Sequence, residues 1–256
     1  MTGPDEPVLV ERAGAVLVVT INRPRVRNAV DLAAAQGIGA AMDLLDADDA
    51  LTVGVLTGAG GTFCSGMDLK AFLRGERPRT DRGFAGLVER PPAKPLIAAV
   101  EGHALAGGFE IVLACDLVVA ARDAVLGLPE VRRGLIAAGG GLLRLPQRVP
   151  LARASEWVLT GRHVPAAEAA DAGLVNRLVE PGSALGAARD LAAEIAANGP
   201  LAVRASKRVL AESPGWPREE AFARQWEVYE PVRSSADARE GARAFAERRA
   251  PRWTGR

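Results

Sequence analysis

Short buried strands that alternate with glycine-rich loops and helices constrain this chain more than any other feature. The run Val16–Ile21 is apolar and β-branched, and it ends at a proline turn, as a buried strand does. Similar apolar runs occupy residues 53–57, 96–100 and 116–120, and residues 107–115 have helical spacing. Short connections from strand to helix to strand favour parallel strands covered by helices. The sequence therefore predicts a layered α/β core.

Two other regions complete this prediction. A helix with Asp31 as its N-cap should follow the first strand. Residues 74–95 are rich in charge and proline, which predicts a surface excursion with one short helix at about 84–89. From residue 150 onward, successive segments have the spacing of amphipathic helices without a low-complexity linker. We therefore expect a helical layer in the C-terminal part of the chain.

Composition argues against several classes of function. Among 256 residues, 32 Lys and Arg oppose 31 Asp and Glu, so the net charge of +1 creates no basic field for nucleic acid or an anionic membrane. The N-terminal residues are acidic, unlike a signal peptide, and no run of 18 apolar residues occurs. Cys64 and Cys115 lie far apart without a CxxC motif. We expect a cytoplasmic protein that binds neither nucleic acid nor membrane.

Two glycine-rich loops each lead from a predicted strand into a helix. They are residues 58–69 (GAGGTFCSGMDL) and residues 102–110 (GHALAGGFE). Backbone N–H groups at such helix starts have no partner within the helix and point outward, so each loop offers hydrogen-bond donors. The glycine spacing matches neither GxGxxG nor a Walker A loop. For the first loop, a structural alternative is a tight turn with Asp68 as helix cap.

Two carboxylates accompany these loops. Glu110 lies one turn into the second helix among apolar residues, where an ionised carboxylate is costly unless paired or hydrated. We therefore expect Glu110 to face a cavity. Glu130 follows another apolar stretch, and alone it would be interpreted as an exposed acid paired with Arg132 or Arg133. Together, the two carboxylates are candidates for an acid–base pair.

Nucleophilic catalysis has weaker support. Cys64 has no evident base, because the chain contains two histidines, His103 and His163, and neither is placed to serve it. We expect Cys64 to be a packed small residue. Ser65 does not lie in a GxSxG motif, since Phe63 and Met67 occupy the glycine positions, which argues against a serine hydrolase.

Three separated segments follow one another along the chain as motifs: FCSGMDL, ALAGGFEIVLACDLVVA and LGLPEVRRGLIAAGGGLLRLPQRV. Together they resemble the enoyl-CoA hydratase/isomerase, or crotonase, superfamily. The resemblance extends from INRPRVRNAV to the terminal EGARAFAERRAPRW and therefore covers almost the whole chain. Several motifs in the right order are more specific than any one of them.

The resemblance implies both architecture and partners. The fold would be α/β of the ClpP/crotonase type, a spiral of β-β-α units. Residues 1–199 would form the core domain and residues 200–256 a C-terminal helical trimerisation region. The protein would form a homotrimer, or a homohexamer built as a dimer of trimers. Its partner would be an acyl-CoA substrate, with coenzyme A as part of that substrate and with no metal or other cofactor.

The resemblance also assigns site residues. Glu110 would activate water and Glu130 would donate a proton at Cα. The backbone N–H groups of Met67 and Gly107 would form the oxyanion hole. The substrate- and CoA-binding positions would be Arg25, Arg27, Ala29, Ser65, Gly66, Asp68, Leu69, Lys70 and Gly108. Met67 stands where alanine or glycine is frequent, and Ala106 stands where glycine is frequent.

The resemblance implies an enoyl-CoA hydratase of fatty acid β-oxidation. Water would add syn across the 2,3 double bond of a 2-enoyl-CoA to give a 3-hydroxyacyl-CoA. Such an addition builds enolate charge on the thioester oxygen and needs an acid and a base, which two donors and two glutamates provide. The alternatives are a carnitinyl-CoA-type dehydratase, an enoyl-CoA isomerase that needs one carboxylate, and a non-catalytic acyl-CoA-binding protein on the same fold.

Overall fold

A computed structural model of the protein describes residues 6–256. In chain order, the strands are β1 (Val8–Ala13), β2 (Val16–Ile21), β3 (Val53–Gly58), β4 (Arg79–Thr80), β5 (Gly83–Phe84), β6 (Leu96–Val100), β7 (His103–Leu105), β8 (Leu117–Ala121), β9 (Val125–Gly127), β10 (Val164–Pro165) and β11 (Arg177–Val179). The α-helices are α1 (Leu32–Ala47), α2 (Leu69–Leu73), α3 (Gly107–Ala114), α4 (Gly141–Arg148), α5 (Leu151–Thr160), α6 (Ala166–Asp171), α7 (Ala184–Ala196), α8 (Pro200–Glu212), α9 (Ala221–Arg233) and α10 (Ala236–Ala246). Residues 1–5, on which the argument against a signal peptide partly rests, lie outside the described residues.

The main sheet has six strands in the order β1-β2-β3-β6-β8-β11. β1 and β2 form an antiparallel hairpin, and every later neighbouring pair is parallel. Because β3 and β6 are parallel neighbours, their carboxyl ends lie at the same edge of the sheet. The two glycine-rich loops follow these two strands. The topology therefore brings both loops to one place, where ligands of open α/β sheets commonly bind.

Both faces of the main sheet are buried. Along β2, Leu17 and Val19 belong to one apolar cluster, whereas Val16 and Val18 belong to a second. Helices α1 and α3 contribute to the first cluster and α7 to the second. Parallel strands covered on both faces have nearly continuous apolar sequences. This explains why β2, β3, β6 and β8 were predicted correctly, within one residue at each end.

A second sheet of three strands has the order β10-β9-β7. β7 follows β6 almost directly, and β9 follows β8 after three residues. β7 leads into α3, and β9 leads into the 3-10 turn Pro129–Arg133. Each of these main-sheet strands is thus followed by a strand of the second sheet and then by a helical segment. This repeated β-β-helix arrangement confirms the predicted α/β spiral.

The segment 74–95 differs from the prediction. Instead of a helix at 84–89, it forms the small antiparallel hairpin β4–β5 followed by turns. Ala85 and Gly86 both have positive φ, at 56° and 66°, and a right-handed helix cannot include them. A Cβ on Gly86 would lie 2.2 Å from the carbonyl oxygen of Ala35 on α1. Close packing against α1 therefore determines this backbone.

The C-terminal part is helical, as predicted, apart from the short strands β10 and β11. α8 begins at Pro200, and the division into domains at this residue stays a prediction. Among residues 6–256, no helix combines the length and the apolar composition needed to cross a bilayer.

Helix α7 offers a test of the packing against the main sheet. Ala188 is fully buried there, and Ala193 on the same helix is exposed. We expect Ala188→Leu to lower the free energy of unfolding by about 1–3 kcal/mol, because the larger side chain overpacks the interface. Ala193→Leu, measured alongside by urea unfolding, should change it by less than about 0.5 kcal/mol. Equal effects of the two substitutions would contradict this packing.

Candidate active site

The first glycine-rich loop is held in place by a short backbone ladder. The Val30 N–H donates to the Gly66 carbonyl at 2.8 Å, and the Asp68 N–H donates to the Val30 carbonyl at 2.9 Å. Successive N–H groups of an extended chain point to opposite sides, so the Met67 N–H faces away from Val30. Among the described residues, this N–H has no acceptor. Met67 thus presents one unpaired donor.

A second unpaired donor lies beside the first loop. Gly107 is the first residue of α3, and within residues 6–256 its N–H has no acceptor. Gly66 has a φ of +98°, and a Cβ placed on it would lie 3.2 Å from the Gly107 nitrogen. The residue next to Met67 therefore packs directly against Gly107. The structure brings together the two loops whose N–H groups were predicted to form an oxyanion hole.

The orientation of the Gly107 N–H depends on a strained residue. Ala106 precedes it with φ 50° and ψ −127°, a conformation that strongly favours glycine. The ψ angle of Ala106 sets the plane of the next peptide and hence the direction of the Gly107 N–H. Ala106 is the position at which the sequence departs from the frequent glycine of the resembled family.

Glu110 lies in a cradle of glycines. Its side chain, on the first turn of α3, is 4% exposed, and Oε1 accepts the Gly141 N–H at 3.0 Å. A Cβ on Gly139 would lie 2.5 Å from Oε2, so a larger residue at 139 would collide with the carboxylate. Burial raises the pKa of Glu110, while the N–H groups of Gly141 and Gly139 and the charge of Arg144 oppose this rise.

Glu130 lies in the 3-10 turn that follows β9. It is half-buried, and among the described residues its Oε2 has no hydrogen-bond partner although that atom is buried. Burial raises the pKa of Glu130, and the charge of Glu110 raises it further. Arg132 donates to the Thr160 carbonyl at 3.2 Å and not to Glu130. The alternative of an exposed acid at a helix start is therefore wrong, and the two carboxylates are close enough to influence each other.

The predicted CoA-binding positions surround the Met67 loop. The Ser65 N–H donates to the Arg27 carbonyl at 3.1 Å, which joins the turn with Arg25 and Arg27 to the loop. Both arginine side chains are exposed. Ala29 is buried beside them, and Leu69 and Lys70 are exposed at the start of α2. A negatively charged ligand at this face would therefore find the guanidinium groups of Arg25 and Arg27 accessible.

Two of the predicted positions have structural roles. A Cβ on Gly108 would lie 2.1 Å from the Cys64 carbonyl oxygen, so glycine is needed for the two loops to pack. Asp68 caps α2, as its Oδ1 accepts the N–H groups of Lys70 and Ala71. Its Oδ2 pairs with Arg23 at 3.1 Å. The structure thus confirms Asp68 as a helix cap, with both oxygens engaged within the protein.

Phe84 is a site residue that sequence reasoning missed. A Cβ on Gly107 would lie 2.6 Å from Cε1 of Phe84, so this ring packs over the start of α3. The hairpin carrying Phe84 is fixed by Arg82, which is 4% exposed and pairs with Asp43 at 2.7 Å and Asp46 at 3.0 Å. The contact spans distant segments, and the sequence contained no periodic signal for it.

Cys64 is a packed residue, as predicted. It is fully buried, and burial raises the pKa of its thiol to about 12. At neutral pH it is therefore a neutral thiol and a poor nucleophile. The expectation that no metal or other cofactor is needed stays a prediction.

The geometry described above can be compared with known proteins. A model of the enoyl-CoA hydratase/isomerase family matches residues 11–256. An enoyl-CoA hydratase, EchA19, of Mycobacterium tuberculosis H37Rv is 44% identical, with 100% of this chain and 98% of that protein covered. A carnitinyl-CoA dehydratase of Salmonella typhi is 41% identical over 98% of this chain and 99% of its own length.

Solved structures agree with the sequence relatives. The crystal structure of an enoyl-CoA hydratase from Mycobacterium tuberculosis H37Rv superposes with a TM-score of 0.97 at 58% identity, and covers 98% of this chain and 100% of its own. That of a carnitinyl-CoA hydratase from Mycobacterium avium has a TM-score of 0.79 at 44% identity, over 98% and 99% of the two chains. The fold is therefore of the crotonase type. The chain belongs to the enoyl-CoA hydratase/isomerase family.

Substitution of Ala106 tests the backbone strain at the residue before Gly107. We expect Ala106→Gly to raise the free energy of unfolding by about 1 kcal/mol, because relief of about 1–3 kcal/mol of strain exceeds the entropic cost of about 0.5–1 kcal/mol that glycine adds. Urea unfolding of both proteins measures the change. Ala104→Gly, in the regular strand β7, is the control and should be destabilising. A loss of stability in Ala106→Gly would show that the backbone is unstrained.

The raised pKa of Glu110 predicts that the stability of the protein depends on pH. A buried acid with a raised pKa keeps its proton to higher pH in the folded than in the unfolded protein, so ionisation weakens folding as pH rises above the ordinary pKa of 4.5. Glu110→Gln should therefore raise Tm at pH 7–8, by about 2–4 °C per kcal/mol of cost removed. The gain should disappear below about pH 4. Thermal unfolding from pH 4 to 8 tests this, and a gain that is greatest in acid would contradict it.

Proposed function

We propose that this protein is an enoyl-CoA hydratase that converts a 2-enoyl-CoA into a 3-hydroxyacyl-CoA. The observation that carries the proposal is that two unpaired donors, the N–H groups of Met67 and Gly107, lie side by side at the start of the helix that carries Glu110. The charge of Glu110 in turn acts on a second carboxylate, that of Glu130. Family membership supports an acyl-CoA substrate. The two donors are suited to a thioester oxygen, and the carboxylates are suited to proton transfers beside it.

The donors would act on the charge that develops during addition. When the water oxygen bonds to Cβ, the π electrons of the double bond move towards the thioester and form an enolate oxygen. Two fixed N–H groups stabilise this oxygen more than the neutral carbonyl of the substrate, which lowers the barrier. Because their positions are determined by the Val30 ladder and by Ala106, little reorganisation is needed.

The carboxylates would divide the proton transfers. Ionised Glu110, which the Gly141 N–H orients, would accept a proton from water as the water oxygen attacks Cβ. Protonated Glu130 would then donate its proton to Cα, and the enolate would return to a thioester. Burial and the charge of Glu110 raise the pKa of Glu130, so Glu130 holds its proton more firmly than an exposed glutamate does. In sum, one water is added, and the proton taken up by Glu110 must reach Glu130 or solvent to complete the cycle.

A dehydratase acting on a carnitinyl-CoA type of substrate is the second candidate. The 41% identity to a carnitinyl-CoA dehydratase over almost the whole chain favours it. By microscopic reversibility, the same acid and base would catalyse loss of water, so the two candidates differ in substrate and direction. An isomerase would need a single carboxylate. A non-catalytic acyl-CoA-binding protein would need neither of the two carboxylates.

The same proposal includes the assembly. Residues 200–256 would form a trimerisation region, in a homotrimer or a hexamer of two trimers located in the cytoplasm. The exposed aromatic side chains Phe222 and Trp226 on α9, 76% and 56% exposed, support a subunit contact there. Arg25 and Arg27 would bind the CoA phosphates.

The activity is tested with crotonyl-CoA and longer 2-enoyl-CoAs. Wild-type protein should remove the absorbance of the conjugated thioester, and Glu110→Gln and Glu130→Gln should each lower kcat by about 10²–10⁴-fold, as expected when a general acid or base is lost. KM should change much less, since neither substitution removes a binding contact to CoA. Glu156→Gln, whose wild-type side chain on α5 is 53% exposed, is the control for loss of a carboxylate.

Three other outcomes decide between the alternatives. If crotonobetainyl-CoA is hydrated much faster than crotonyl-CoA, the second candidate replaces the first. Movement of the double bond without uptake of water indicates an isomerase, in which one of the two glutamine variants stays active. Tight binding of acyl-CoA without turnover of any substrate refutes the hydratase proposal.

A further inference from the structure

One guanidinium joins the two segments that form the Met67 ladder. Nη2 of Arg23 lies 2.7 Å from Oδ2 of Asp31 and 3.1 Å from Oδ2 of Asp68, and Nη1 donates to the Ala29 carbonyl. The three charged side chains are between 12% and 19% exposed. Arg23 is therefore the centre of a mostly buried cluster, and such pairs are stronger than exposed ion pairs.

Each carboxylate of this cluster also caps the N-terminus of a helix. Oδ1 of Asp31 accepts the Ala34 N–H at 2.9 Å at the start of α1. Oδ1 of Asp68 accepts the N–H groups of Lys70 and Ala71, at 3.0 and 3.1 Å, at the start of α2. Arg23 thus fixes two helix starts relative to each other.

Arg23 contacts the residues on both sides of Val30 and the residue that follows Met67. The ladder joins residues 66–68 to Val30, and Arg23 contacts residues on both sides, Ala29 and Asp31 on one and Asp68 on the other. Asp68 directly follows Met67, so any rotation of the Met67 peptide would have to move a residue engaged by three donors. The ion pair with Arg23 therefore adds a side-chain restraint to the two ladder bonds beside Met67.

We propose that Arg23 is a positioning residue for the oxyanion hole, which holds the Met67 N–H at the thioester oxygen. The inference rests on the proposed function, because it assigns to that N–H its role in the reaction. Donors to a developing oxyanion must be placed within about 0.5 Å to act fully. Arg23 itself touches neither substrate nor reacting atoms.

Charge gives Arg23 a second effect on the same donor. Asp31 and Asp68 bring two negative charges close to Met67, and Arg23 offsets one of them. Burial alone would raise the pKa of Asp68, but the Ala71 N–H and Arg23 lower it, so this carboxylate is ionised. Without the guanidinium, two uncompensated carboxylates would oppose negative charge on an enolate oxygen bound beside them.

The experiment compares Arg23→Gln, Arg23→Lys and a matched control, Arg249→Gln, in the full-length protein. Arg249 also joins two carboxylates, those of Glu240 and Glu247, both at 2.6 Å, but it lies three residues beyond the end of α10. Two properties are measured for each variant. The first is the pair of steady-state constants kcat and KM for crotonyl-CoA, each determined separately. The other is the red shift in absorbance of an aromatic enoyl-CoA, such as cinnamoyl-CoA, on binding, which reports polarisation of the thioester carbonyl.

We expect Arg23→Gln to lower kcat by about 10–100-fold, less than the 10²–10³-fold loss that follows removal of a donor. KM should change by less than about threefold, and the red shift should decrease. Arg23→Lys keeps the positive charge but not the planar guanidinium, and it should recover part of kcat and part of the red shift. Arg249→Gln should change neither kcat nor the red shift, even if it lowers Tm as much as Arg23→Gln does. Should Arg23→Gln fail to fold, Arg23→Lys provides the same two measurements.

Two results separate this inference from the proposed function. If the variants bind the aromatic thioester with an unchanged red shift and turn over with unchanged kcat, Arg23 is a structural residue and the inference is overturned. If wild-type protein shows a red shift that Arg23→Gln reduces, yet hydrates no enoyl-CoA, the positioning role stands and the hydratase proposal fails.

Discussion

A carboxylate that is 4% exposed, as Glu110 is, requires hydrogen-bond donors at close range, since burial of an unpaired charge costs several kcal/mol. The donors come from the backbone at the start of α4, where the Gly141 N–H is 3.0 Å away. A side chain at Gly139 would prevent this approach. The carboxylate therefore ties α3 to α4. The segment between these helices carries Glu130, and the charge of Glu110 raises the pKa of that second acid.

Several features of the site weaken the folded state. The φ of 50° at Ala106 is strained, the two carboxylates are partly or wholly buried, and the Met67 and Gly107 N–H groups lack acceptors within the described residues. Each costs about 1–3 kcal/mol. They persist because a sheet buried on both faces supports them. Such costs are typical of sites that are organised before a ligand arrives.

Local patterns predicted the scaffold, and long-range contacts escaped prediction. β2 and β6 were found because strands covered on both faces are continuously apolar. The meeting of the two glycine-rich loops was expected from the family resemblance, and the cavity expected beside Glu110 stays a prediction. Residues 84–89 were wrongly predicted as a helix, because the positive φ angles of Ala85 and Gly86 depend on contact with α1. Arg23 resembled an ordinary turn residue, since its partner Asp68 lies 45 positions away.

Under the proposed function, the acid–base machinery cannot by itself choose between hydration and dehydration. A catalyst that stabilises the enolate lowers the barrier from both sides, so Glu110 and Glu130 would serve an enoyl-CoA and a hydroxyacyl-CoA alike. Relatives named for either direction can therefore share this geometry. Discrimination must come from groups that contact the acyl part. Phe84 packs over Gly107, which carries one of the two donors, and Met67, which carries the other, replaces a smaller residue. Because the buried Arg82 pairs with Asp43 and Asp46 and so anchors the hairpin of Phe84 to α1, substrate choice would depend on the shape that this ring and Met67 present.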